Sequence, residues 1–114
     1  QAPQFYYVRE QAEVKAKLFK QALSDIDIAI YLAPDETSFK AEKASLQLRL
    51  NLISEAMQTA EQCVKEAPDY SDGYLILGLA QINSGKKEEG LANLDKAKNL
   101  GNSQATSLIE KYKK

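Results

Sequence analysis

The sequence predicts an all-α fold in which antiparallel helix pairs stack on one another, and two observations support this prediction. The first is an internal period of 34 residues, which relates Pro34 to Pro68, two of the three prolines. The second is the helical spacing of the apolar residues that lie between turn signals. With 114 residues the chain has room for three such periods and a short tail, so we expect a single domain.

Small or apolar residues recur at the same period in three further columns. The columns are Ala22, Ala56 and Gly90; Ala29, Cys63 and Ala97; and Ile26, Ala60 and Leu94. Small side chains let two helices approach to about 8–10 Å between their axes. The columns are therefore predicted to be helix contacts. Cys63 is interpreted as a core residue rather than a nucleophile, because the chain contains no His to activate it.

Seven helices are predicted, at residues 5–17, 19–32, 38–50, 54–66, 71–83, 87–99 and 104–112. In the second helix, Ala22, Ile26 and Ala29 recur on one face. Pro34 and Pro68 follow the second and fourth helices, because proline cannot continue a helix. Asn51 and Gly85 mark tight turns inside the second and third pairs. Gly101 ends the sixth helix, and Ser103 supplies a cap for a short seventh helix.

This helix-turn-helix period resembles the tetratricopeptide repeat (TPR) family. The third period matches that family at Tyr74, Leu77, Gly78, Gly90, Leu94 and Ala97. The first period matches at Tyr6, Ala22, Ile26, Ala29 and Pro34, and the second at Ala44, Ala56, Cys63 and Pro68. The sequence departs from the pattern at Glu10, where a small residue is usual, at Lys40 and Lys43, and at Asn102, which replaces a closing Pro.

The resemblance implies a right-handed superhelical solenoid of three helix-turn-helix units and a C-terminal capping helix. The units are expected at about residues 3–36, 37–70 and 71–104, with the cap at 105–114. Leu108 and Ile109 would cover the third unit, since the end of a solenoid needs a polar outer face. The pattern that closes the chain is similar to the ends of many bacterial repeat proteins, so we expect a bacterial source.

Composition argues against several classes of function. The 15 basic and 16 acidic residues nearly cancel, so bulk attraction to nucleic acid or to an anionic membrane is not expected. With no His and one Cys, we expect no catalytic residue, no metal site and no cofactor. No apolar run approaches the ~18 residues of a membrane-spanning helix. The prediction is a soluble protein, with the compartment left open between cytoplasm and periplasm.

The TPR resemblance also implies a binding surface, because the first helix of each unit lines the concave face and commonly holds an extended peptide or a helix. The matching positions are Tyr7, Gln11, Val14, Lys15, Ala41, Ser45, Leu48, Arg49, Leu75, Leu79, Ile82 and Asn83. Val14, Leu48, Leu75, Leu79 and Ile82 are expected to form an apolar floor. Lys15 and Arg49 are expected to form a basic edge that favours an acidic group on the ligand.

One family activity is argued against. TPR proteins that bind the tails of Hsp70 or Hsp90 chaperones clamp a terminal carboxylate with Lys, Asn and Arg at set positions. The matching positions here are Tyr7, Gln11, Glu42, Asp72 and Ile76, so no such clamp is expected. The predicted function is a non-catalytic scaffold that binds a protein or peptide. The alternative is a structural or homo-oligomerisation module, or an accessory domain of a larger bacterial assembly, whose groove is covered by a second copy or by the parent chain.

Overall fold

The computed structural model describes residues 2–15 and 18–113, apart from the side chains of Glu13 and Lys15. Within this part of the chain there are seven helices and no strand. The helices are α1 (Pro3–Lys15), α2 (Phe19–Leu32), α3 (Thr37–Arg49), α4 (Ile53–Glu66), α5 (Ser71–Asn83), α6 (Lys87–Asn99) and α7 (Ala105–Lys113). The predicted all-α class and the predicted order of helices are confirmed.

Small differences at the helix ends have local causes. The first helix begins at Pro3, two residues before the predicted start, because proline is well suited to the first helical position, where no N–H is needed. The predicted end of this helix at Lys17 lies outside the described residues. The last helix begins at Ala105 rather than at Gln104, since the backbone N–H of Gln104 donates to the side-chain Oδ1 of Asn102 at 3.0 Å.

Three turns share one backbone geometry, in which a single residue adopts a positive φ. These residues are Asn51 (63°), Gly85 (93°) and Gly101 (96°). After Asn51, the N–H of Leu52 donates to the carbonyl of Gln47 at 2.8 Å, and the same bond closes the turns at Gly85 and Gly101 at 2.8 and 2.9 Å. This Schellman closure satisfies carbonyl groups at the helix end. The predicted turns are confirmed, with asparagine tolerated because its side chain suits the left-handed region.

The core consists of three hydrophobic clusters, each built from consecutive helices. The first centres on Ala22, Ile26 and Ala29; the second on Ala44, Ala60 and Cys63; the third on Leu94, Ala97 and Ala105. All nine residues of the three predicted columns are buried. Each helix pair therefore completes its core with the next pair, as a solenoid requires.

The backbones of α5 and α6 lie close together at two glycines. A Cβ added at Gly78 would lie 2.7 Å from the carbonyl oxygen of Gly90, and a Cβ added at Gly90 would lie 2.5 Å from the carbonyl oxygen of Gly78. The residues one and two periods before Gly78 are Ala44 and Glu10. Both are fully buried, so a glutamate side chain occupies a position that lies between paired helices.

The seventh helix covers the end of the third pair. Ala105 is fully buried, and Leu108 and Ile109 pack against the third cluster. Asn102, the residue that replaces the closing Pro, donates from Nδ2 to Asp72 at 2.8 Å. This bond ties the start of the cap to the start of α5.

Candidate functional site

A groove of about 550 Å³ lies across one face of the helix pairs. Its walls are the same faces of α3 and α5, with additions from α1, from the turn before α5 and from Gln104. The lining residues are Tyr7, Ser38, Ala41, Glu42, Ser45, Leu48, Arg49, Tyr70, Asp72, Leu75, Ile76, Leu79 and Gln104. The period of 34 relates Ala41 to Leu75 and Ser45 to Leu79, so the two leading helices present equivalent positions to the groove.

The floor of the groove is apolar but not fully open. Leu75 and Ile76 are 5% and 8% exposed, because their side chains also pack in the core. Leu48 and Leu79 are half-buried. The surface available for an apolar side chain of a ligand is therefore centred on Leu48 and Leu79.

Two carboxyl groups and an amide form a network beside the groove. The side-chain Nε2 of Gln11 donates to Oε1 of Glu10 at 2.5 Å and to Oε2 of Glu42 at 3.1 Å. The second oxygen of Glu10, Oε2, is buried and accepts no hydrogen bond from a described residue. Because one nitrogen reaches both acids, the carboxyl groups of Glu10 and Glu42 lie next to each other.

This environment changes how Glu10 titrates. Burial, followed by a hydrogen bond shared with Glu42 and the charge of Glu42, raises the pKa of Glu10 to about 8. The hydrogen bond from Gln11 and the charge of Arg49 act in the opposite direction. At neutral pH the Glu10 carboxyl is therefore mostly protonated, and its proton links it to Glu42.

The other acidic side chain of the groove, Asp72, is held by neutral donors. It accepts hydrogen bonds from Asn102 at 2.8 Å and from the hydroxyl of Tyr70 at 3.3 Å. Burial, with the charge and hydrogen bond of Asp72, raises the pKa of Tyr70 to about 12. Tyr7, which lines the groove from α1, packs against the ring of Phe39 with 5.2 Å between ring centroids. Both tyrosines are thus fixed, uncharged walls of the groove.

The expected basic edge has one described member. Arg49 is exposed, lines the groove and places its guanidinium carbon 5.6 Å from the centroid of the Phe19 ring. The side chain of Lys15 lies outside the described residues. The described lining residues therefore include two acidic side chains and one basic side chain.

The structure places the described residues that were expected at the groove in four locations. Seven of them line it, namely Tyr7, Ala41, Ser45, Leu48, Arg49, Leu75 and Leu79, and Gln11 lies behind Glu42. Val14 and Ile82 instead pack in the core. Ile82 fits there because Gly90 has no side chain: a Cβ added at Gly90 would lie 2.5 Å from Cγ1 of Ile82. Asn83 is exposed at the end of α5 and does not line the groove.

Three lining residues were not expected from the sequence: Ser38, Tyr70 and Gln104. The period relates Ser38 to Asp72, a signal that could have identified it. Tyr70 and Gln104 lie in connections just before helices, where no helical spacing applies. Glu42, Asp72 and Ile76, at positions where the resemblance predicts no working carboxylate clamp, also line the groove.

Residues with catalytic or metal-binding chemistry are not gathered elsewhere in the described part of the chain. Cys63 is fully buried, and burial raises the pKa of its thiol to about 11. Its role as a core residue agrees with the prediction. Among the described residues, no three His, Cys, Asp or Glu side chains are placed to share a metal ion. None of the described helices combines the length and the apolar character needed to cross a bilayer.

No family model matches the chain. Small glutamine-rich tetratricopeptide repeat-containing protein 2 of Saccharomyces cerevisiae is 27% identical over 95 residues, which cover 83% of this chain and 28% of that protein. Tetratricopeptide repeat protein 33 of Xenopus laevis is 33% identical over 67 residues, covering 59% of this chain and 26% of that protein. The chain thus spans about a quarter of the length of these curated relatives.

Solved structures agree over almost the whole chain. The TPR domain of Arabidopsis OM64 has a TM-score of 0.90 at 20% identity, covering 98% of this chain and 94% of that one. The first TPR of Spaghetti (RPAP3), bound to an HSP90 peptide, has a TM-score of 0.89 at 19% identity, covering 99% and 91%. The Sgt2 TPR domain of Aspergillus fumigatus has a TM-score of 0.87 at 21% identity, covering 97% and 76%.

These comparisons lend no support to the expected bacterial source, because the two curated relatives come from a yeast and a frog and the solved structures, at 19–21% identity, show the fold alone. They do agree on one architecture of paired helices. The chain therefore has the tetratricopeptide-repeat fold, with three helix-turn-helix units in a right-handed superhelix and α7 as the cap.

Proposed function

We propose that this chain is a non-catalytic scaffold that binds an extended segment of a protein or peptide in the groove. The observation that supports this most directly is the groove itself, about 550 Å³ in volume and lined along equivalent faces of α3 and α5. Leu48 and Leu79 offer apolar contact, while the acids and Arg49 lie around them. Recognition sites for extended peptides combine such apolar and polar features.

Known TPR structures support a peptide ligand as a class. One matched structure is a TPR bound to an HSP90 peptide, and another is a complex of the TPR2B domain of yeast Sti1 with an Hsp70 ligand. Chaperone tails themselves are not the ligand we propose here. A terminal carboxylate entering this groove would meet Glu42 and Asp72, and like charges at close range are unfavourable.

The proposal that no reaction is catalysed rests on the environment of the reactive groups. The thiol of Cys63 has no exposed surface, and burial keeps it protonated. Glu10, whose pKa is raised, is also fully buried. A general acid or base must reach the substrate, and neither group is placed to do so.

Filling the groove tests this function. Ser45 is half-buried on the groove wall, so Ser45→Tyr should obstruct the groove without entering a packed core. Wild type and variant would be panned in parallel against a randomised peptide library. Peptides retained by wild type and lost by the variant support the proposal. Equal retention by both proteins would place binding elsewhere on the chain.

A second candidate function, a structural or oligomerisation module, is favoured by a different surface. Large apolar side chains are exposed mainly in the first helix pair; they include Val8 (65%), Phe5 (46%) and Tyr31 (84%). Such side chains often mark a contact with another protein surface. Light scattering after size exclusion, over a range of concentrations, tests this candidate. A dimer that dissociates on Val8→Glu, but not on Ser45→Tyr, would favour it over the peptide scaffold.

A further inference from the structure

The charges of the groove indicate what kind of segment it takes, an inference that rests on the proposed function. Glu42 and Asp72 line the groove, and their hydrogen bonds come from neutral groups of Gln11, Tyr70 and Asn102. The ion pairs found among the described residues join other acids. Both groove carboxylates therefore remain without a cationic partner from the described residues.

Arg49, the cation among the described lining residues, does not change this balance. Arg49 stacks over Phe19, so part of its surface is already engaged with α2. Its charge lowers the pKa of Glu10 only as the smallest of the contributing causes. The groove thus has an acidic side at Glu42 and Asp72, and a ligand of opposite charge complements it.

A second observation, on the same side of the groove, is the buried carboxyl group of Glu10 next to Glu42. Oε2 of Glu10 is buried without a hydrogen-bond donor from the described residues, and the amide of Gln11 joins this carboxyl to Glu42. Two adjacent carboxyl groups are stable side by side only when a proton or another cation lies with them. An ammonium or guanidinium group bound at Glu42 would supply that positive charge from the ligand.

We propose that the groove selects a segment that carries a lysine or arginine side chain. The cationic head contacts Glu42 and Asp72, and a neighbouring apolar side chain of the same segment packs on Leu48 and Leu79. The proposed ligand is thus basic at this contact, whereas a chaperone tail is acidic. Binding of the cation removes the need for the proton shared by Glu10 and Glu42, so that proton is released.

The test is a selection on the intact chain with a fully randomised, displayed peptide library. Four proteins are compared: wild type, Ser45→Tyr, Glu42→Gln and Glu61→Gln. The last variant removes an exposed acid on α4, outside the groove lining, and is the matched control for a loss of negative charge. Thermal unfolding followed by circular dichroism confirms that all four proteins are folded.

Enrichment of Lys and Arg in the wild-type and Glu61→Gln pools, with loss of that enrichment for Glu42→Gln, is the expected result. One enriched arginine peptide, synthesised with blocked ends, should bind Glu42→Gln about tenfold more weakly, since one charge-assisted contact is removed.

Groove-dependent peptides without Lys or Arg would overturn the inference and leave the proposed function intact. A pool that Ser45→Tyr does not change would overturn both. A dimer broken by Ser45→Tyr would make a second copy the occupant and also overturn the inference.

Proton release gives a second readout for the same peptide. Among the described residues, the titratable and charged groups that act on Glu10 are Tyr7 on its own helix and Glu42 and Arg49 on α3. Arginine keeps its charge over this range, and binding releases a proton. At pH values below the pKa of Glu10, affinity should therefore increase roughly threefold to tenfold for each unit by which the pH is raised. Glu10→Gln should remove that rise. An affinity independent of pH in wild type would show that the bound cation leaves the carboxyl pair unchanged, which contradicts the proposed contact at Glu42.

Discussion

Replacing Glu10 with Gln removes the titration of a buried carboxyl group while nearly preserving its shape, so the pH dependence of stability should change. Burial and the neighbouring Glu42 raise the pKa of Glu10 from 4.5 to about 8 in the folded chain. Between these values the folded chain binds one more proton at this site than the unfolded chain. The contribution of Glu10 to the free energy of unfolding is therefore greatest below its pKa in the unfolded chain. It is lost as the pH rises through its pKa in the folded chain.

The size of the effect follows from the same linkage. One proton corresponds to at most about 1.4 kcal/mol per pH unit, hence at most about 2.7 kcal/mol between about pH 5.5 and about pH 7.5. The folded pKa of about 8 already includes the opposing effects of Gln11 and Arg49. Because the proton difference is slightly less than one near both ends of this range, we expect a loss of about 2 kcal/mol in wild type from this site. Glu10→Gln should show a flatter profile and should be the more stable protein above about pH 8.

The measurement is urea unfolding followed by far-UV circular dichroism across this pH range, with the exposed Glu61→Gln as the control for charge removal. The control should follow the wild-type profile, because Glu61 is exposed on α4 and lies outside the network of Glu10, Gln11 and Glu42. Parallel profiles for wild type and Glu10→Gln would refute the argument, since they would mean that Glu10 titrates alike in the folded and unfolded chains.

Substitutions at three further positions test helix packing and turn geometry. Gly78→Ala should destabilise the chain by about 1–3 kcal/mol, because its Cβ would lie 2.7 Å from the backbone oxygen of Gly90; an unchanged urea midpoint would contradict the close approach of α5 and α6. Ala56→Leu should cost about 1–3 kcal/mol through overpacking of a fully buried position; a neutral result in the same assay would contradict the assigned register. Asn51→Ala should cost about 1 kcal/mol, since φ is 63°, whereas Asn51→Gly should retain wild-type stability; equal losses in thermal unfolding would show that the turn geometry is not the cause.

Much of the fold could be predicted because a solenoid repeats its contacts at a fixed sequence interval. Small residues such as Ala29, Cys63 and Ala97 must recur wherever paired helices touch, and all are fully buried. The turn at Asn51 was also predictable, since the same position one period later is Gly85 and both adopt positive φ. At these positions the type of residue and the 34-residue period predicted the same structure.

The candidate site was less predictable, because a groove depends on how neighbouring side chains share space. Ile82 fits the column of Leu48, yet it packs in the core because Gly90 leaves a gap that an isoleucine can fill. The pairing of Glu10 with Glu42 joins residues 32 positions apart, as read from their numbers, through an amide of Gln11. No spacing rule within a helix contains that information.

The first helix pair should be the least stable part of the solenoid. Stability in a solenoid is approximately a sum over neighbouring units, and the first unit alone places a carboxyl group where the others place Ala44 and Gly78. Amide hydrogens of α1 should therefore exchange with solvent sooner than those of α5, by opening of the end unit alone. Tyr7 of α1 lines the groove together with α3 and α5, so a ligand that spans these helices would hold the end unit closed. Occupancy would then be visible as slower exchange in α1, far along the chain from the apolar contacts on α5.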